Sequence, residues 1–337
     1  MRVAVLGAGS WGTALAKVLG DKGHHVTLWG RRKELTEDIR TTRCNSAFLP
    51  EIVLPETLHA TSELGEALDG ADMILLAVPT HGLREVLRTA APMVKRHVPV
   101  VSATKGIEND TLEMVNEVVE AEWRWTRNYF AALSGPSFAM EVARKLPTVV
   151  VAAARDLALA REVQKAFFSD GTFRVYLSTD VVGVEVGGAL KNVIAIGAGA
   201  SDGMGFGHNA RAALITRGLA EIGRMAAKLG GDPMTLAGLA GMGDLVLTCT
   251  GQLSRNRHVG VELGKGRPLT EVLGEMRQVA EGVRTARSAH ELALREGVPM
   301  PIVGEVYAVL YEAKPTKAAV HDLMVREANT EFAYTER

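Results

Sequence analysis

The chain has 337 residues, 47 per cent hydrophobic and 23 per cent charged, the profile of a globular protein with material for about two domains and sizeable cores. Lysine plus arginine number 38 and aspartate plus glutamate 39, a formal charge of −1, so neither nucleic-acid nor membrane-surface binding is expected and any anion site must be local. Cys44 and Cys249 lie far apart in no paired-cysteine motif, which argues against a zinc site or a disulfide framework and suits a reducing compartment.

Arg2 to Leu6 (RVAVL) is apolar and β-branched and predicts a strand. It runs into Gly7-Ala8-Gly9-Ser10-Trp11-Gly12, and Thr13, Ala14, Leu15, Ala16, Val18 and Leu19 open a helical pattern behind it. Such a strand, turn and helix suits a dinucleotide: Gly7 permits the sharp turn, Gly9 lets the backbone approach a pyrophosphate, and Gly12 lets the helix pack against its strand. The positive end of the helix then faces the diphosphate. Glycines after Leu6 and the charge of Lys17 distinguish this start from a signal peptide, and no stretch approaches the roughly 18 continuous apolar residues of a membrane span. A cytoplasmic protein without membrane insertion is expected.

A second strand, His25 to Trp29, completes the first strand-helix-strand unit. At its end an acid would bond a ribose 2′-hydroxyl, whereas arginine accommodates a 2′-phosphate. Here the chain reads Gly30-Arg31-Arg32-Lys33 with no acid until Glu34, which favours NADP(H) and leaves NAD(H) open.

Glu34 to Arg40 predicts a short helix, Asn45 to Thr61 a proline-punctuated connection, and Glu63 to Asp69 another helix. Strand Asp72 to Val78 ends at Pro79, helix Leu83 to Val94 follows, and strand Pro99 to Ala103 runs into Thr104-Lys105-Gly106. After a helix over Leu112 to Trp123, strand Phe130 to Leu133 leads into Ser134-Gly135-Pro136-Ser137 and a helix from Phe138. Strands Thr148 to Ala152 and Thr172 to Leu177 extend the sheet. The alternation predicts an α/β class, a Rossmann-type parallel, doubly wound sheet, with its polar and glycine-rich strand ends along one carboxyl edge and one long cleft there. His81, after Pro79 and Thr80, is a further candidate for that cleft.

From about Thr179 strand periodicity disappears, and the remainder predicts an all-α C-terminal domain, dividing the chain into residues 1–179 and 180–337. The runs are Val181 to Gly199, Asn209 to Leu229 with Asn209 as cap, Met234 to Leu239, Val259 to Gly264, Leu269 to Met276, Thr285 to Glu296, Pro301 to Leu310 and Pro315 to Arg326. Gly187 and Gly188 would cost about 1 kcal/mol each in an exposed helix, so something must approach the backbone there. Lys191 and Asn192 lie one turn further on the same face, so Lys191 either meets a ligand there or marks a helix crossing with its tip in water. Asp244, in Gly241-Met242-Gly243-Asp244, is either a helix cap or a fixed partner for a cation. Ser254-Arg255-Asn256-Arg257-His258 offers hydroxyl, guanidinium and amide donors, which suits a phosphate; the plain alternative is a solvated loop. No His, Asp or Glu spacing suggests a metal, and no nucleophile elbow is present.

Together GAGSWGTALA, NSAFLP, TKGIE, LSGPSFAMEV, ALKNVIAIGAGASDGMGFGHNARAALITRGL, GMGDLVLTCT, SRNR and AEGVRTA resemble the NAD(P)-dependent sn-glycerol-3-phosphate dehydrogenases of the bacterial type, from Arg2 to about Glu327. The family pattern allows serine where this chain has Gly251 and tyrosine where it has Phe48. The resemblance implies dinucleotide contacts from Ser10, Trp11, Arg31, Arg32, Lys105, Ala139, Arg255, Val279 and Glu281. It implies contacts to glycerol phosphate from Lys105, Gly135, Ser137, Lys191, Asp244, Ser254, Arg255 and Asn256, with Lys191 as proton acceptor. Lys105 would then lower the pKa of Lys191 and Asp244 would orient it and raise it. A homodimer that supplies glycerol phosphate for phospholipids is implied as well. Two other readings share much of this pattern: a β-hydroxyacid dehydrogenase, which has no need of the SRNR grip, and a non-catalytic dinucleotide-binding redox sensor, which has no need of the proton relay.

Overall fold

The structure, a computed structural model, describes residues 1–276 and 280–326. Eight strands form one sheet in the order β3-β2-β1-β4-β5-β6-β7-β8: β1 (Arg2–Leu6), β2 (His25–Trp29), β3 (Leu58–Thr61), β4 (Met73–Leu76), β5 (Val100–Ser102), β6 (Phe130–Ser134), β7 (Thr148–Ala154) and β8 (Phe173–Ser178). Interleaved with them are α1 (Ser10–Asp21), α2 (Lys33–Thr42), α3 (Leu64–Leu68), α4 (Thr80–Ala90), α5 (Val115–Glu122), α6 (Ala139–Ala143) and α7 (Leu157–Phe167). Both faces of the sheet are covered. Alternate residues of β1 enter opposite cores, Val3 and Val5 on one face and Ala4 and Leu6 on the other.

Three details differ from the sequence expectation. β3 lies inside the segment read as a connection, pairing in parallel with β2 from Val26 opposite Leu58; four residues behind two prolines carry too little periodicity to stand out. β7 runs antiparallel to β6, while β8 is parallel to β7. The link between β6 and β7 contains only the five-residue α6, too short a helix to carry the chain back along the sheet for another parallel strand. α4 stops at Ala90, ahead of Pro92, rather than at Val94.

Beyond β8 the chain is helical: α8 (Val181–Gly203), α9 (Gly207–Lys228), α10 (Asp244–Thr250), α11 (Arg255–Gly264), α12 (Leu269–Glu275), α13 (Glu281–Glu296), α14 (Pro301–Tyr311) and α15 (Thr316–Met324). α9 begins at Gly207, so Asn209 sits in its first turn and is not the cap. The expected helix over Met234 to Leu239 is instead a 3-10 turn, Pro233–Ala237, followed by a wide π-type turn, Leu239–Gly243; Gly238, Gly241 and Gly243 break it up. α8 is the axis of this half. It is largely apolar, and by length and composition it passes for a membrane span, with mean hydropathy 1.5, yet 89% of that window is buried inside the protein. Its neighbour α11 approaches almost backbone to backbone, because a Cβ on Gly199 or Gly260 would fall 2.1 or 2.0 Å from a carbonyl oxygen of the other helix.

Candidate active site

β1, β2, β4, β5 and β6 run in the same direction, so their carboxyl ends share one edge. Between that edge and α8, α10 and α11 lies a cleft of about 430 Å³. Its first wall is the turn from β1 to α1. Gly7 has φ +124, and an added Cβ would lie 2.5 Å from Ala77 O; a Cβ on Gly12 would lie 1.9 Å from Gly7 O. These two glycines are required by packing. Gly9 differs, because nothing lies within 4 Å of the position its Cβ would take. It caps α1 without a side-chain acceptor, so the first-turn N–H groups face that space. Trp11, which lines the cleft, has a buried Nε1 with no hydrogen-bond partner. Open space at a helix N-terminus beside an orphaned donor fits a dinucleotide diphosphate.

The second wall carries Lys105. Thr104 Oγ1 donates to Val78 O at 2.7 Å, and Thr80 Oγ1 donates to the carbonyl of Lys105 at 3.1 Å. Ile107, two residues on, is part of the core of the helical half, and its carbonyl accepts from Ser288 Oγ at 3.2 Å. The loop is thereby tied to both halves, and Lys105 reaches across to donate to Asp244 Oδ2 at 2.6 Å.

Asp244 and Lys191 form the floor. Asp244 opens α10 after the π-type turn and is 1% exposed; Lys191, on α8, is 7% exposed. Lys191 Nζ donates to Asp244 Oδ1 at 2.5 Å and to Thr248 Oγ1 at 2.9 Å. Asp244 is thus the fixed partner of two cations and not the cap of α10. Gly187 and Gly188 explain themselves in the same place: a Cβ on Gly187 would sit 2.6 Å from Ala240 O in the π-type turn, and one on Gly188 would crowd Ser134 Oγ at 3.0 Å and the Lys105 stem at 3.6 Å. Both glycines admit protein, not ligand, and bring Asp244 and Lys105 to Lys191.

Burial, the largest influence, pushes the Lys191 ammonium down to about 8; Lys105 adds to the fall and Asp244 opposes it. The competition left open by sequence is therefore won by desolvation. Burial also pushes Asp244 up, but the two lysines together hold its carboxyl below the usual range.

The SRNR segment is the start of α11 and not a solvated loop. Ser254 caps the helix, its Oγ accepting from Arg257 N at 3.2 Å. Asn256 is buried: its Nδ2 donates to Asn192 Oδ1 at 2.9 Å and its Oδ1 accepts from Gly282 N at 2.9 Å. Arg255, in the same turn, lines the cleft near Glu281, the first residue of α13. Burial lifts Glu281 above its ordinary pKa against the opposing charge of Arg255.

Of the other residues singled out in the sequence, Ser10, Ser137 and Ala139 line the cleft. Gly135 does not: with φ +141 it packs on β7, where a Cβ would lie 2.9 Å from Val150 Cα. Arg31 and Arg32 are exposed beyond the end of β2 and outside the cleft walls, with the Arg32 guanidinium 5.2 Å over the Phe48 ring. His81 is exposed on α4 and does not line the cleft. Val279 falls outside the described residues. Sequence reasoning noted Asn192, Phe48 and Phe138 without giving them a place in the cleft, and passed over Thr248. Thr248 had a local signal, one helical turn beyond Asp244. Asn45, the first residue of NSAFLP, had no role assigned to it: its buried Nδ2 donates to Ala8 O at 3.0 Å and Thr13 Oγ1 at 2.8 Å, bracing the nucleotide turn from a distant loop.

A sheet edge shaped for a dinucleotide, opposite a buried lysine with a lowered pKa, is the arrangement of a nicotinamide-dependent dehydrogenase. The family models narrow this further: residues 2–160 match the N-terminal domain of NAD-dependent glycerol-3-phosphate dehydrogenase and residues 180–321 its C-terminal domain. The chain belongs to this family of enzymes. It is 56% identical over 332 residues to the glycerol-3-phosphate dehydrogenase [NAD(P)+] of Geobacter sp. (strain M21), covering 98% of both chains. To that of Myxococcus xanthus (strain DK1622) it is 54% identical over 337 residues, covering 99% of both. The crystal structure of the Coxiella burnetii glycerol-3-phosphate dehydrogenase superimposes with a TM-score of 0.92 at 40% identity, covering 96% of this chain and 99% of that one. The β-hydroxyacid dehydrogenase and redox-sensor readings are not favoured.

Proposed function

We propose that the chain interconverts dihydroxyacetone phosphate and sn-glycerol 3-phosphate, uses NADPH in preference to NADH, acts as a cytoplasmic homodimer, and feeds glycerol phosphate into phospholipid synthesis. The observation that carries the reaction is the pairing of the buried Lys191 with Asp244 and Lys105 at the floor of the cleft, beside the first turn of α11. A nicotinamide dinucleotide, when bound, supplies or accepts the hydride; Gly9, Ser10, Trp11 and Ala139 are the described residues that would hold it, with Lys105, Arg255 and Glu281 toward the substrate end.

Reduction of the ketone places negative charge on the C2 oxygen. The Lys191 ammonium stabilises that charge and delivers its proton; in the reverse direction the neutral amine removes the hydroxyl proton. A pKa of about 8 suits both tasks near neutral pH. Thr248 and Asp244 hold Nζ in place, and Lys105 presents a second ammonium to the same region. Arg255, Asn256 and the N-terminus of α11 receive the phosphate, and unphosphorylated substrates leave that grip unfilled. Arg31 and Arg32, at the end of β2, supply the charge that favours a 2′-phosphate. Exposed Met242 and Val246, a turn apart, give a second copy an apolar surface to cover.

The test is oxidation of NADPH, then NADH, with dihydroxyacetone phosphate and with a β-ketoacid control, alongside size measurement by light scattering. Turnover confined to the triose phosphate supports the reading; turnover confined to the β-ketoacid refutes it.

A further inference from the structure

α8 also carries a carboxylate, Asp202, for which the reaction has no use. Asp202 lies about three helical turns beyond Lys191 on the same face, and its side chain is only 12% exposed. Two guanidinium groups converge on it. Arg257 donates to Oδ2 through Nε at 2.9 Å and Nη2 at 2.6 Å, and Arg211 Nη1 reaches both oxygens at 3.1 Å.

The two arginines are anchored differently. Arg211 belongs to α9. Arg257 stands in the first turn of α11, with its N–H held by Ser254 Oγ and its carbonyl pressed on Gly199 of α8, where a Cβ would lie 2.1 Å away. At the contact between α8 and α11, Gly199 and Gly203 meet the backbone of Arg257, Val261 and Gly264, and Gly260 and Gly264 meet that of Ile196, Ala200 and Gly203. Such a seam lets the two backbones approach closely and leaves side-chain ties to act beside it. Two polar ties join the helices at the first turn of α11: Asn192 to Asn256 and Asp202 to Arg257.

We propose that Asp202 is a positioning residue for the substrate phosphate: by tying Arg257 to α8 it sets the angle of the first turn of α11, so that Arg255, Asn256 and the helix N-terminus meet the phosphate already aligned. This rests on the reading that the phosphate binds at that turn. Asp202 touches no substrate. It acts through Arg257, whose guanidinium it occupies with charge-assisted hydrogen bonds.

The experiment is steady-state kinetics on the full-length enzyme. For Asp202→Asn the KM for dihydroxyacetone phosphate rises about tenfold, as expected when the charge-assisted tie to Arg257 is weakened, and the inhibition constant of inorganic phosphate rises in step. Its kcat stays within about twofold and the KM for NADPH does not move. Arg257→Met has the same effect, and the double variant is no worse than either, because both break one tie; if Asp202→Asn does not fold, Arg257→Met carries the test. Arg211→Ala removes an ion pair from the same carboxylate without touching α11 and leaves the KM unchanged. An unchanged KM in Asp202→Asn, an equal rise in Arg211→Ala, or a parallel fall in kcat and NADPH affinity overturns the inference. Arg255→Ala separates the two levels: if it too leaves the KM unaltered, the phosphate reading fails as well, whereas a rise there with none in Asp202→Asn removes only the role of Asp202.

Discussion

In the sheet half, groups that face the cleft sit on turns at strand ends, and backbone sterics place them: Gly7 and Gly12 have no room for a Cβ, and Gly9 opens onto empty space. In the helical half the groups proposed to act, Lys191 and Asp244, sit on helices, and long-range ion pairs place them, with Lys105 from the sheet half closing on the same Asp244. The first arrangement is local and robust to its surroundings. The second depends on three segments far apart in the chain, and it sets a pKa as well as a position.

The largest effect expected from breaking this contrast is at Lys191. Lys191→Ala should lower kcat by roughly 10³-fold, the scale of a lost general acid, with circular dichroism and melting unchanged in form; a loss below tenfold would mean that another group moves the proton. Next is the pair of glycines in the nucleotide turn. Gly12→Ala should cost more than about 3 kcal/mol of stability by denaturant titration, because backbone cannot yield. Gly9→Ala should leave the unfolding midpoint in place and weaken NADPH binding, measured by fluorescence. Similar destabilisation by both would erase the distinction drawn between packing and ligand-facing glycines.

A smaller effect, about tenfold, is expected from Arg31→Ala with Arg32→Ala on the KM for NADPH, with the KM for NADH little changed; equal loss for both cofactors would show that the loop does not read a 2′-phosphate.

The finest probe is the pH profile. With Lys191 as the proposed proton donor, reduction should decline as pH rises through about 8, and oxidation of glycerol phosphate should increase over the same range. Lys105→Met removes a like charge, so the limb should move up; Asp244→Asn removes the opposing carboxylate, so it should move down, each by about one unit. Shifts in the same direction would show that direct charge coupling is not what sets the Lys191 pKa.

Much of the sheet was legible because its periodicity is short-range. RVAVL, HVTLW and DMILLAV announce themselves, and the glycine turn has a spacing dictated by the ligand it suits. β3 escaped because four residues offer too few periods. The reversal at β7 escaped because strand direction is set by the length of the preceding connection and not by the strand. In the helical half, the types of residue at Lys191, Asp244 and SRNR pointed toward a charged ligand, and resemblance supplied their roles, but spacing alone left Asp244 between a cap and a partner. Asn45 stood out only as the first residue of NSAFLP, with nothing local to show that it braces Ala8 and Thr13.

By itself the sequence determined the alternating half and the helical half, the dinucleotide turn, and the family, since each rests on patterns within a few dozen residues or on motifs shared along the chain. Only the tertiary structure decided that Gly187 and Gly188 admit Ala240 and Lys105, that Asp244 bonds both lysines, and that desolvation outweighs Asp244 in setting the Lys191 pKa. Those facts are sums over atoms from segments remote in sequence, and burial, which weighs most in the sum, exists only once the two halves have closed around the site.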